Sequence, residues 1–240
     1  MSPVVITGGA QRLGLATARA LRQQGYDVVV TYRRFRPVLR ELQCQGIETL
    51  EADFSDEQGA IDFANVLYER YESIRGLIHN ASEWMPESDD LDDAAVMRSM
   101  LNIHVMAPYL INQRCGDLLA RHGETHGHAD IIHMTDYVAG TGSRKHIAYA
   151  ASKAALDNLT LSFASKYAPR VKVNSVAPAL LMFNQDDDAD YRERARKKSL
   201  LGIVPGVEEG VTTIQYVLES RYLTGKTIAL DGGRHLARAV

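Results

Sequence analysis

Short, continuous runs of apolar residues recur along the chain and alternate with longer stretches of helical periodicity. Continuous apolar runs are typical of strands that are buried on both faces of a parallel sheet. They predict about seven strands, at residues 3–7, 27–32, 47–52, 76–79, 130–134, 171–176 and 226–230. The intervening patterns predict helices at residues 12–24, from about 37, at 57–71, in two stretches between 93 and 122, and around 149. This alternation predicts an α/β fold with a doubly wound parallel sheet of Rossmann type, flanked by helices.

No repeat, low-complexity linker or break in composition divides the chain, so we expect a single domain over residues 1–240. Only the region 180–203 interrupts the alternation of strands and helices. It contains the loop 184–188, followed by a charged stretch that predicts a helix. We interpret this region either as a lid over a binding site or as a solvated insertion.

The composition of the chain makes some classes of binding partner less probable than others. Of the 240 residues, 45% are hydrophobic and 24% are charged, which suits a globular domain with a substantial core. The formal net charge of -3 gives no broad basic field, so we expect no nucleic-acid partner. No apolar run approaches the roughly 20 residues needed to span a bilayer, and the N-terminus does not resemble a signal peptide. We therefore expect a cytoplasmic protein with no membrane partner.

The cysteines and the clustered histidines of the chain lack the spacing and the accompanying ligands of a metal site. Cys44 and Cys115 show neither a disulfide framework nor a metal-ligand spacing. His122, His126 and His128 stand close together near glycines, without the complement of carboxylates or cysteines that would complete a metal site. We expect a solvated surface loop at these histidines and no bound metal.

A glycine-rich turn, Thr7–Gly14, follows the first predicted strand. Gly8 and Gly14 permit a tight turn and close approach of a ligand to the backbone, and the N-terminus of the next helix attracts phosphate. In a doubly wound sheet, ligands bind at the carboxyl ends of the strands, where this turn lies. The turn therefore predicts a dinucleotide site, although a merely structural turn would have the same pattern.

The second strand ends in Tyr32, Arg33 and Arg34, with no acid among them. An acid there would bind the 2′-hydroxyl of a ribose, whereas a guanidinium can clamp a 2′-phosphate. This favours NADPH over NADH, with a solvated basic turn as the alternative. At the end of the third strand, Asp53 either accepts a hydrogen bond from an adenine amino group or caps the next helix together with Ser55.

Tyr149 and Lys153 are four residues apart, a spacing that places both side chains on one face of a helix. A nearby ammonium favours the phenolate and lowers the pKa of the phenol toward the working range of an acid–base catalyst. The same pair also occurs on solvated helices, so its meaning depends on the motifs elsewhere in the chain.

Several motifs, in order, resemble those of the short-chain dehydrogenase/reductase family, and the resemblance covers essentially the whole chain. They are the turn Thr7–Gly14, His79-Asn80-Ala81-Ser82, Tyr149-x-x-x-Lys153, Asn174–Pro178, and Thr224-Gly225 followed by Asp231-Gly232-Gly233.

Three departures from the common family pattern resemble the pteridine reductase group. Arg12 stands where most members have the middle glycine of the turn, and Asp136 stands thirteen positions before Tyr149, where the usual catalytic serine lies. Trp84 is a large aromatic residue just after the Asn-Ala-Ser motif. A flat pterin ring would find a stacking face in Trp84 and polar partners in Arg12 and Asp136. The alternatives are a core position for Trp84, phosphate binding alone for Arg12, and a turn cap for Asp136.

The resemblance implies NADPH-dependent reduction of a dihydropterin, with 7,8-dihydromonapterin as the expected substrate and weak activity on dihydrofolate. Lys153 would hold the nicotinamide ribose, while Asp136 and Tyr149 would supply the proton that ends on N5 as hydride reaches C6. The implied substrate contacts are Arg12, Ser82, Trp84, Asp136 and Tyr149. The implied cofactor contacts are Gly8, Arg12, Leu13, Gly14, Tyr32, Arg33, Arg34, Asp53, Phe54, Asn80, Ala81, Tyr149, Lys153 and Pro178.

Two other functions remain open: a carbonyl reductase acting on a ketone such as a 3-oxoacyl thioester, and a non-catalytic NADP-binding redox sensor. Family members commonly pair through the helix that contains the catalytic tyrosine and the helix before it, so we expect a homotetramer. Many members also carry an asparagine that holds a proton-relay water, four residues before a proline. Counted from Pro108, that position is His104. Either His104 holds water or the relay is absent, and we leave it outside the catalytic set.

Overall fold

The computed structural model describes residues 2–87 and 90–237, which contain one seven-stranded parallel sheet. Its strands are β1 (Val4–Ile6), β2 (Val28–Tyr32), β3 (Glu48–Glu51), β4 (Gly76–His79), β5 (Ala129–Met134), β6 (Val171–Pro178) and β7 (Thr227–Leu230). Their order across the sheet is β3-β2-β1-β4-β5-β6-β7. The order reverses between β1 and β4, and a doubly wound sheet forms its ligand crevice at the carboxyl ends of strands beside such a reversal. The predicted fold class and number of strands are confirmed.

Helices cover both faces of the sheet. They are α1 (Arg12–Gln23), α2 (Val38–Cys44), α3 (Glu57–Arg70), α4 (Asp93–Leu101), α5 (Ala107–His126), α6 (Val138–Thr141), α7 (Ile147–Tyr167), α8 (Ala189–Arg196) and α9 (Val207–Glu219). A π-helical turn (Asn102–Met106) joins α4 to α5, and a 3-10 helix (Arg234–Leu236) follows β7. Among the described residues, none of these helices is both long and apolar enough to cross a membrane.

Alternate residues of the central strands contribute to two separate hydrophobic cores. On β1, Val5 faces the layer of α3, α5 and α7, whereas Val4 and Ile6 face the layer of α1, α2 and α9. Successive side chains of a strand point to opposite faces, so a strand covered on both sides is apolar throughout. The two-layer covering therefore explains the continuous apolar runs in the sequence.

Helix α9 lies outside the elements expected from the sequence. Its first turns contain Val207, Gly210 and Val211, which are residue types of low helix propensity. The helix nevertheless packs against α1 and buries Ile214 and Val217 completely. Burial of an apolar face here outweighs weak local propensity, as it does for most helices in folded proteins.

The histidines near the end of α5 also differ from the expectation. His122 and His126 lie within the last turns of this helix, not in a surface loop, and their rings stack with centroids 4.2 Å apart. The His122 side chain is buried and lies 2.6 Å from the Ser2 hydroxyl. The prediction of a loop was wrong for His122 and His126, because α5 continues to His126 and glycine ends the helix only at Gly127, whereas His128 lies in the connection to β5.

A chain of hydrogen bonds links β4 to β5 inside the core. His79 Nε2 lies 2.8 Å from Asn112 Oδ1, and Asn112 Nδ2 lies 3.1 Å from His133 Nε2. His133 Nδ1 in turn lies 2.8 Å from Thr160 Oγ1. With both imidazoles neutral, each group donates to the next and every contact is satisfied. Burial lowers the pKa of His79 to about 4 and the pKa of His133 well below its ordinary value.

We predict that the free energy of unfolding falls as the pH is lowered from 7 to 5. The unfolded chain protonates both histidines near pH 6.5, whereas the folded chain keeps them neutral, so acid favours unfolding. His79 and His133 should each contribute a loss of about 2 kcal/mol over this interval. Their stabilising contribution is fully present above pH 7.

Urea denaturation at pH 7 and pH 5 measures this loss. A His79→Gln variant keeps an amide donor for Asn112 and removes one titrating group, so its loss of stability between pH 7 and pH 5 should be smaller by about 2 kcal/mol. Equal free energies of unfolding at the two pH values in the unsubstituted protein would contradict the neutral, buried state of these histidines.

Candidate active site

A cleft of about 610 Å³ opens at the carboxyl ends of β1, β2, β4 and β5. Its position matches the ligand crevice expected at the reversal in strand order. Most of the site residues expected from the sequence line it, namely Gly8, Arg12, Leu13, Gly14, Tyr32, Arg33, Arg34, Asp53, Phe54, Asn80, Ala81, Ser82, Trp84, Asp136 and Tyr149. The fold therefore brings together residues that are far apart in the sequence.

Three positions of the glycine turn leave no room for a Cβ atom, namely Gly8, Gly9 and Gly14. Gly8 has a φ of 66°, and a Cβ atom there would lie 2.9 Å from the Cα of Ala81. A Cβ atom at Gly14 would lie 2.5 Å from the side-chain nitrogen of Asn80. Arg12, the first residue of α1, has a φ of 50° although it is not glycine. The turn thus keeps the backbone close to the cleft at the N-terminus of α1, where anions are attracted.

Asn80 fastens the ends of β1 and β4 together. Its side-chain nitrogen donates to the carbonyl oxygens of Thr7 and Gly8, at 3.0 and 3.1 Å. The Thr7 hydroxyl oxygen accepts hydrogen bonds from the backbone nitrogens of Asn80 and Ala81, both at 3.0 Å. Asn80 therefore shapes the wall of the cleft through the backbone of the glycine turn.

The basic end of the cleft contains an ion pair that the sequence did not reveal. The guanidinium of Arg33 pairs with the carboxylate of Glu83, in the segment after β4. Arg34 and Arg36 line the same end. Arg33 and Glu83 are 50 residues apart in the chain, so no local pattern indicates their contact. A ligand phosphate at Arg33 would compete with the Glu83 carboxylate.

One of the two interpretations of Asp53 is wrong. Helix α3 is capped by Asp56, whose carboxylate accepts a hydrogen bond from the Gly59 backbone nitrogen at 2.9 Å. The Asp53 carboxylate accepts from the backbone nitrogen of Ser55 at 3.0 Å and lines the cleft. Asp53 therefore closes a local turn, and the interpretation in which it faces an adenine stays open.

The three expected catalytic residues meet where β5 ends and α7 begins. Tyr149 donates its phenolic hydrogen to Asp136 Oδ2 at 2.9 Å. The Lys153 ammonium lies 5.6 Å from the centre of the Tyr149 ring and donates to the Met134 carbonyl oxygen at 2.8 Å. Lys153 is almost fully buried, and it does not belong to the residues that line the cleft.

The electrostatic prediction for Tyr149 is wrong. The pKa of Tyr149 is raised, first by burial and then by the charge and hydrogen bond of Asp136. Burial also raises the pKa of Asp136, against the lowering effects of the Val138 backbone, Tyr149 and Lys153. Lys153 itself has a pKa lowered to about 8, mainly by burial. The cost of burying a phenolate beside a carboxylate exceeds the attraction of an ammonium that is directed at a carbonyl.

The indole ring of Trp84 forms an exposed aromatic surface in the cleft. The Trp84 side chain is 63% exposed, so the alternative of a core position is wrong. Its ring stacks on that of His146, with centroids 4.1 Å apart and planes inclined by 32°. His146 directly precedes α7 and was not among the residues expected in the site. It supports one face of Trp84 and leaves the rest of the ring accessible.

The segment after β6 forms the remaining wall. Leu180, Met182, Asn184 and Tyr191 line the cleft, and Arg12 Nη1 donates to Asn184 Oδ1 at 2.5 Å. The charged helix expected in this segment is present as α8.

Pro178, an expected cofactor contact, does not line the cleft. It ends β6, and its carbonyl oxygen accepts a hydrogen bond from the Tyr137 backbone nitrogen at 3.0 Å. The chain turns toward the cleft only at Leu180, two residues later, which the sequence pattern did not indicate.

Comparison with known proteins agrees with this geometry. A family model described as short chain dehydrogenase matches residues 2–190, and the chain belongs to this family. Dihydromonapterin reductase of Klebsiella pneumoniae is 50% identical over 234 residues, which cover 98% of this chain and 97% of the relative. Dihydromonapterin reductase of Escherichia coli K12 is 48% identical over the same shares of both chains.

A solved structure shows a similar arrangement of the whole chain. FolM alternative dihydrofolate reductase 1 from Brucella canis, complexed with NADP, is 27% identical and superposes with a TM-score of 0.85. The match covers 100% of this chain and 96% of that protein.

Proposed function

We propose that the protein catalyses NADPH-dependent reduction of 7,8-dihydromonapterin to 5,6,7,8-tetrahydromonapterin, with weaker activity on dihydrofolate. The full-length similarity to dihydromonapterin reductases supports this substrate class. The observation that carries the proposal is the hydrogen bond of Tyr149 to Asp136 in a cleft that is also lined by the exposed Trp84 ring. This combination offers an acid to a ring nitrogen and a face to a flat heterocycle.

The residues of the glycine turn fit a dinucleotide. Gly8 and Gly14 leave no room for a Cβ atom, so the backbone can approach a pyrophosphate at the N-terminus of α1. Arg33 and Arg34 would hold the 2′-phosphate that distinguishes NADPH from NADH, with the phosphate displacing the Glu83 carboxylate from Arg33. When bound there, NADPH supplies the hydride that reduces the N5=C6 bond at C6.

The proton for N5 comes from the pair formed by Asp136 and Tyr149. Burial keeps the pKa of Asp136 above its ordinary value, so a protonated carboxyl is easier to populate than on the protein surface. The Tyr149 hydroxyl, 2.9 Å away, can pass its proton to N5 while it receives one from Asp136. Transfer between two neutral donors avoids a buried phenolate. Lys153 lies behind this pair and supplies a positive charge nearby; to hold the ribose of the cofactor, its ammonium would have to reach the cleft from its contact with the Met134 carbonyl.

The substrate ring would lie against Trp84. An offset stack on an exposed indole contributes about 0.5–1.5 kcal/mol beyond the area buried. Arg12 is positioned to bridge the cofactor phosphates and a polar edge of the ring, since it begins α1 and points across the cleft toward Asn184. Ser82 lines the same cleft near Tyr149, and its hydroxyl oxygen would contact the same ring.

A carbonyl reductase is the weaker alternative. In the usual short-chain enzymes a serine hydroxyl at this position donates to the ketone oxygen, whereas here Asp136 stands there and accepts the hydrogen of Tyr149. The redox-sensor alternative leaves the buried Tyr149–Asp136 contact without a role. A cytoplasmic location stays a prediction.

We further propose that the segment 180–203 acts as a lid. Met182, Asn184 and Tyr191 reach the cleft from this segment, and the Arg12–Asn184 hydrogen bond joins it to the glycine turn. A ligand that bound Arg12 would therefore change the hydrogen bond that joins this segment to the glycine turn. The single domain expected over residues 1–240 likewise stays a prediction.

We predict that Tyr149→Phe and Asp136→Asn each lower kcat by about a hundredfold or more, because each removes one member of the proton-donating pair. Affinity for NADPH should change little, since neither substitution removes a phosphate contact. Steady-state kinetics with 7,8-dihydromonapterin, together with NADPH binding followed by fluorescence, measure the two effects. Tyr137→Phe is the matched control, as this tyrosine does not line the cleft. Near-normal kcat in Tyr149→Phe would remove the proposed acid.

We predict that Arg33→Ala weakens NADPH binding by about tenfold to a hundredfold, the range expected for a lost charge-assisted hydrogen bond. Binding of NADH, which lacks the 2′-phosphate, should change by much less. Arg40→Ala serves as the control, because Arg40 contacts the Phe35 ring outside the cleft. An unchanged preference for NADPH over NADH in Arg33→Ala would place the phosphate elsewhere.

We propose a homotetramer that pairs through α5 and α7. Tyr109 on α5 is 40% exposed and Leu161 on α7 is 53% exposed, so these helices present apolar side chains outward. Light scattering should give a mass four times the chain mass of 26.6 kDa. Leu161→Glu should lower that mass, because it buries a charge in the interface, whereas Tyr222→Glu, at a fully exposed site, should leave it unchanged. A monomeric unsubstituted protein would refute the proposal.

A further inference from the structure

A buried histidine lies behind the substrate side of the cleft. His104 belongs to the π-helical turn Asn102–Met106, between α4 and α5, and its side chain is only 1% exposed. Such wide turns inside helices occur frequently at functional sites. The His104 ring packs edge-on against the Tyr149 ring, with centroids 5.4 Å apart and planes at 85°. His104 does not line the cleft, so any effect on a ligand must pass through another side chain.

Two serines contact the two ring nitrogens of His104. Nδ1 lies 2.8 Å from the Ser152 hydroxyl oxygen, and Nε2 lies 2.8 Å from the Ser82 hydroxyl oxygen. The Ser152 hydroxyl donates to the Tyr149 carbonyl oxygen at 2.7 Å. A hydroxyl has a single hydrogen, and this contact uses it. The Ser152 oxygen must therefore accept from His104, and the hydrogen of the imidazole is on Nδ1.

The remaining nitrogen of His104 is consequently an acceptor. Burial, reinforced by the positive charge of Lys153, lowers the pKa of His104 to about 2, so the imidazole is neutral and has only one N–H group. Nε2 accepts the hydrogen of the Ser82 hydroxyl. The Glu83 carbonyl is a longer contact for Ser82, at 3.3 Å, and the Tyr149 hydroxyl, which Ser82 also approaches, donates its own hydrogen to Asp136. Each hydroxyl or N–H group of this chain therefore donates in one direction, from Ser82 to His104, from His104 to Ser152, and from Ser152 to the Tyr149 carbonyl oxygen.

We propose that His104 is a positioning residue that makes the Ser82 hydroxyl an obligatory hydrogen-bond acceptor toward the bound substrate. This inference rests on the proposed dihydropterin reduction and deepens it. Ser82 is exposed in the cleft next to Trp84, and with its hydrogen committed to His104 it presents only lone pairs. It therefore selects an N–H group of the ring or its amino substituent. A carbonyl oxygen at this point would meet another acceptor, so ketones are disfavoured.

Two amide substitutions separate the two contacts of the imidazole. In His104→Asn, the shorter side chain places an amide near the former Nδ1, where it can serve Ser152 but not reach Ser82. In His104→Gln, the longer side chain places a carbonyl oxygen near the former Nε2, where it can still accept from Ser82. Ser82→Ala removes the acceptor itself. His126→Asn, at an exposed position on α5, controls for the loss of a histidine.

His104→Asn and Ser82→Ala should each raise KM for 7,8-dihydromonapterin about tenfold, the effect of one ordinary hydrogen bond. His104→Gln should stay within about threefold of the unsubstituted protein. The double variant His104→Asn/Ser82→Ala should be no worse than either single variant, because both remove the same interaction. KM for NADPH should not change. Additive effects in the double variant, or equal losses in His104→Asn and His104→Gln, would overturn the proposal.

The tautomer provides a measurement that needs neither activity nor a stable variant. Long-range proton–nitrogen correlation spectra of protein labelled with ¹⁵N-histidine should show His104 neutral and protonated on Nδ1 at pH 7. A hydrogen on Nε2 would overturn the proposal even if dihydropterins are good substrates. Absence of any dihydropterin turnover in the unsubstituted protein would instead refute the proposed function, while the tautomer would still test the hydrogen-bond chain.

Discussion

The hydrogen bond from Tyr149 to Asp136 is the contact on which the chemistry of the cleft depends, because both groups are buried and both resist ionisation. A charge on either group would have to be stabilised in a medium of low dielectric constant. The pair can instead give up one proton from the Asp136 carboxyl through the Tyr149 hydroxyl, which leaves the negative charge on Asp136 and forms no phenolate. Lys153 contributes a nearby positive charge without a direct contact to the phenol, since the Met134 carbonyl takes its hydrogen bond. Burial, more than the nearby ammonium of Lys153, therefore determines that Tyr149 and Asp136 can act as proton donors.

This contact requires a rigid frame, which the parallel sheet provides. Asp136 follows β5, and Tyr149 lies in the first turn of α7, so their separation depends on how that helix packs on the sheet. Asn80 and Thr7 fix the ends of β4 and β1 on the other side of the cleft through four hydrogen bonds. The loops after β1, β2, β4 and β5, which bear most of the site residues, therefore start from strands whose two faces are buried. In this architecture the strands usually provide stability, and the loops at their carboxyl ends carry the functional residues.

Much of this could be predicted from the sequence, for identifiable physical reasons. Strands buried on both faces leave continuous apolar runs, and their carboxyl ends locate the cleft without any knowledge of contacts. The direction of the Tyr149 pKa could not be predicted, because spacing along a helix does not reveal burial or the neighbour across the cleft. The contact of Arg33 with Glu83 and the position of His104 between Ser82 and Ser152 were hidden for a similar reason. The partners are 22 to 50 residues apart, and no periodicity relates them.

The backbone of Arg12 connects these local observations to function. A φ of 50° in a residue with a Cβ atom costs on the order of 1–3 kcal/mol, which a glycine at this position would avoid. Such strain is retained where the side chain makes a stabilising contact that glycine cannot make, and it is concentrated at functional sites. The Arg12 guanidinium reaches Asn184 across the mouth of the cleft, a surface contact too weak to offset that cost by itself. A ligand that carries both phosphate and a polar ring edge would give the guanidinium two further partners. The strained backbone is therefore better explained by the bound state than by the free protein.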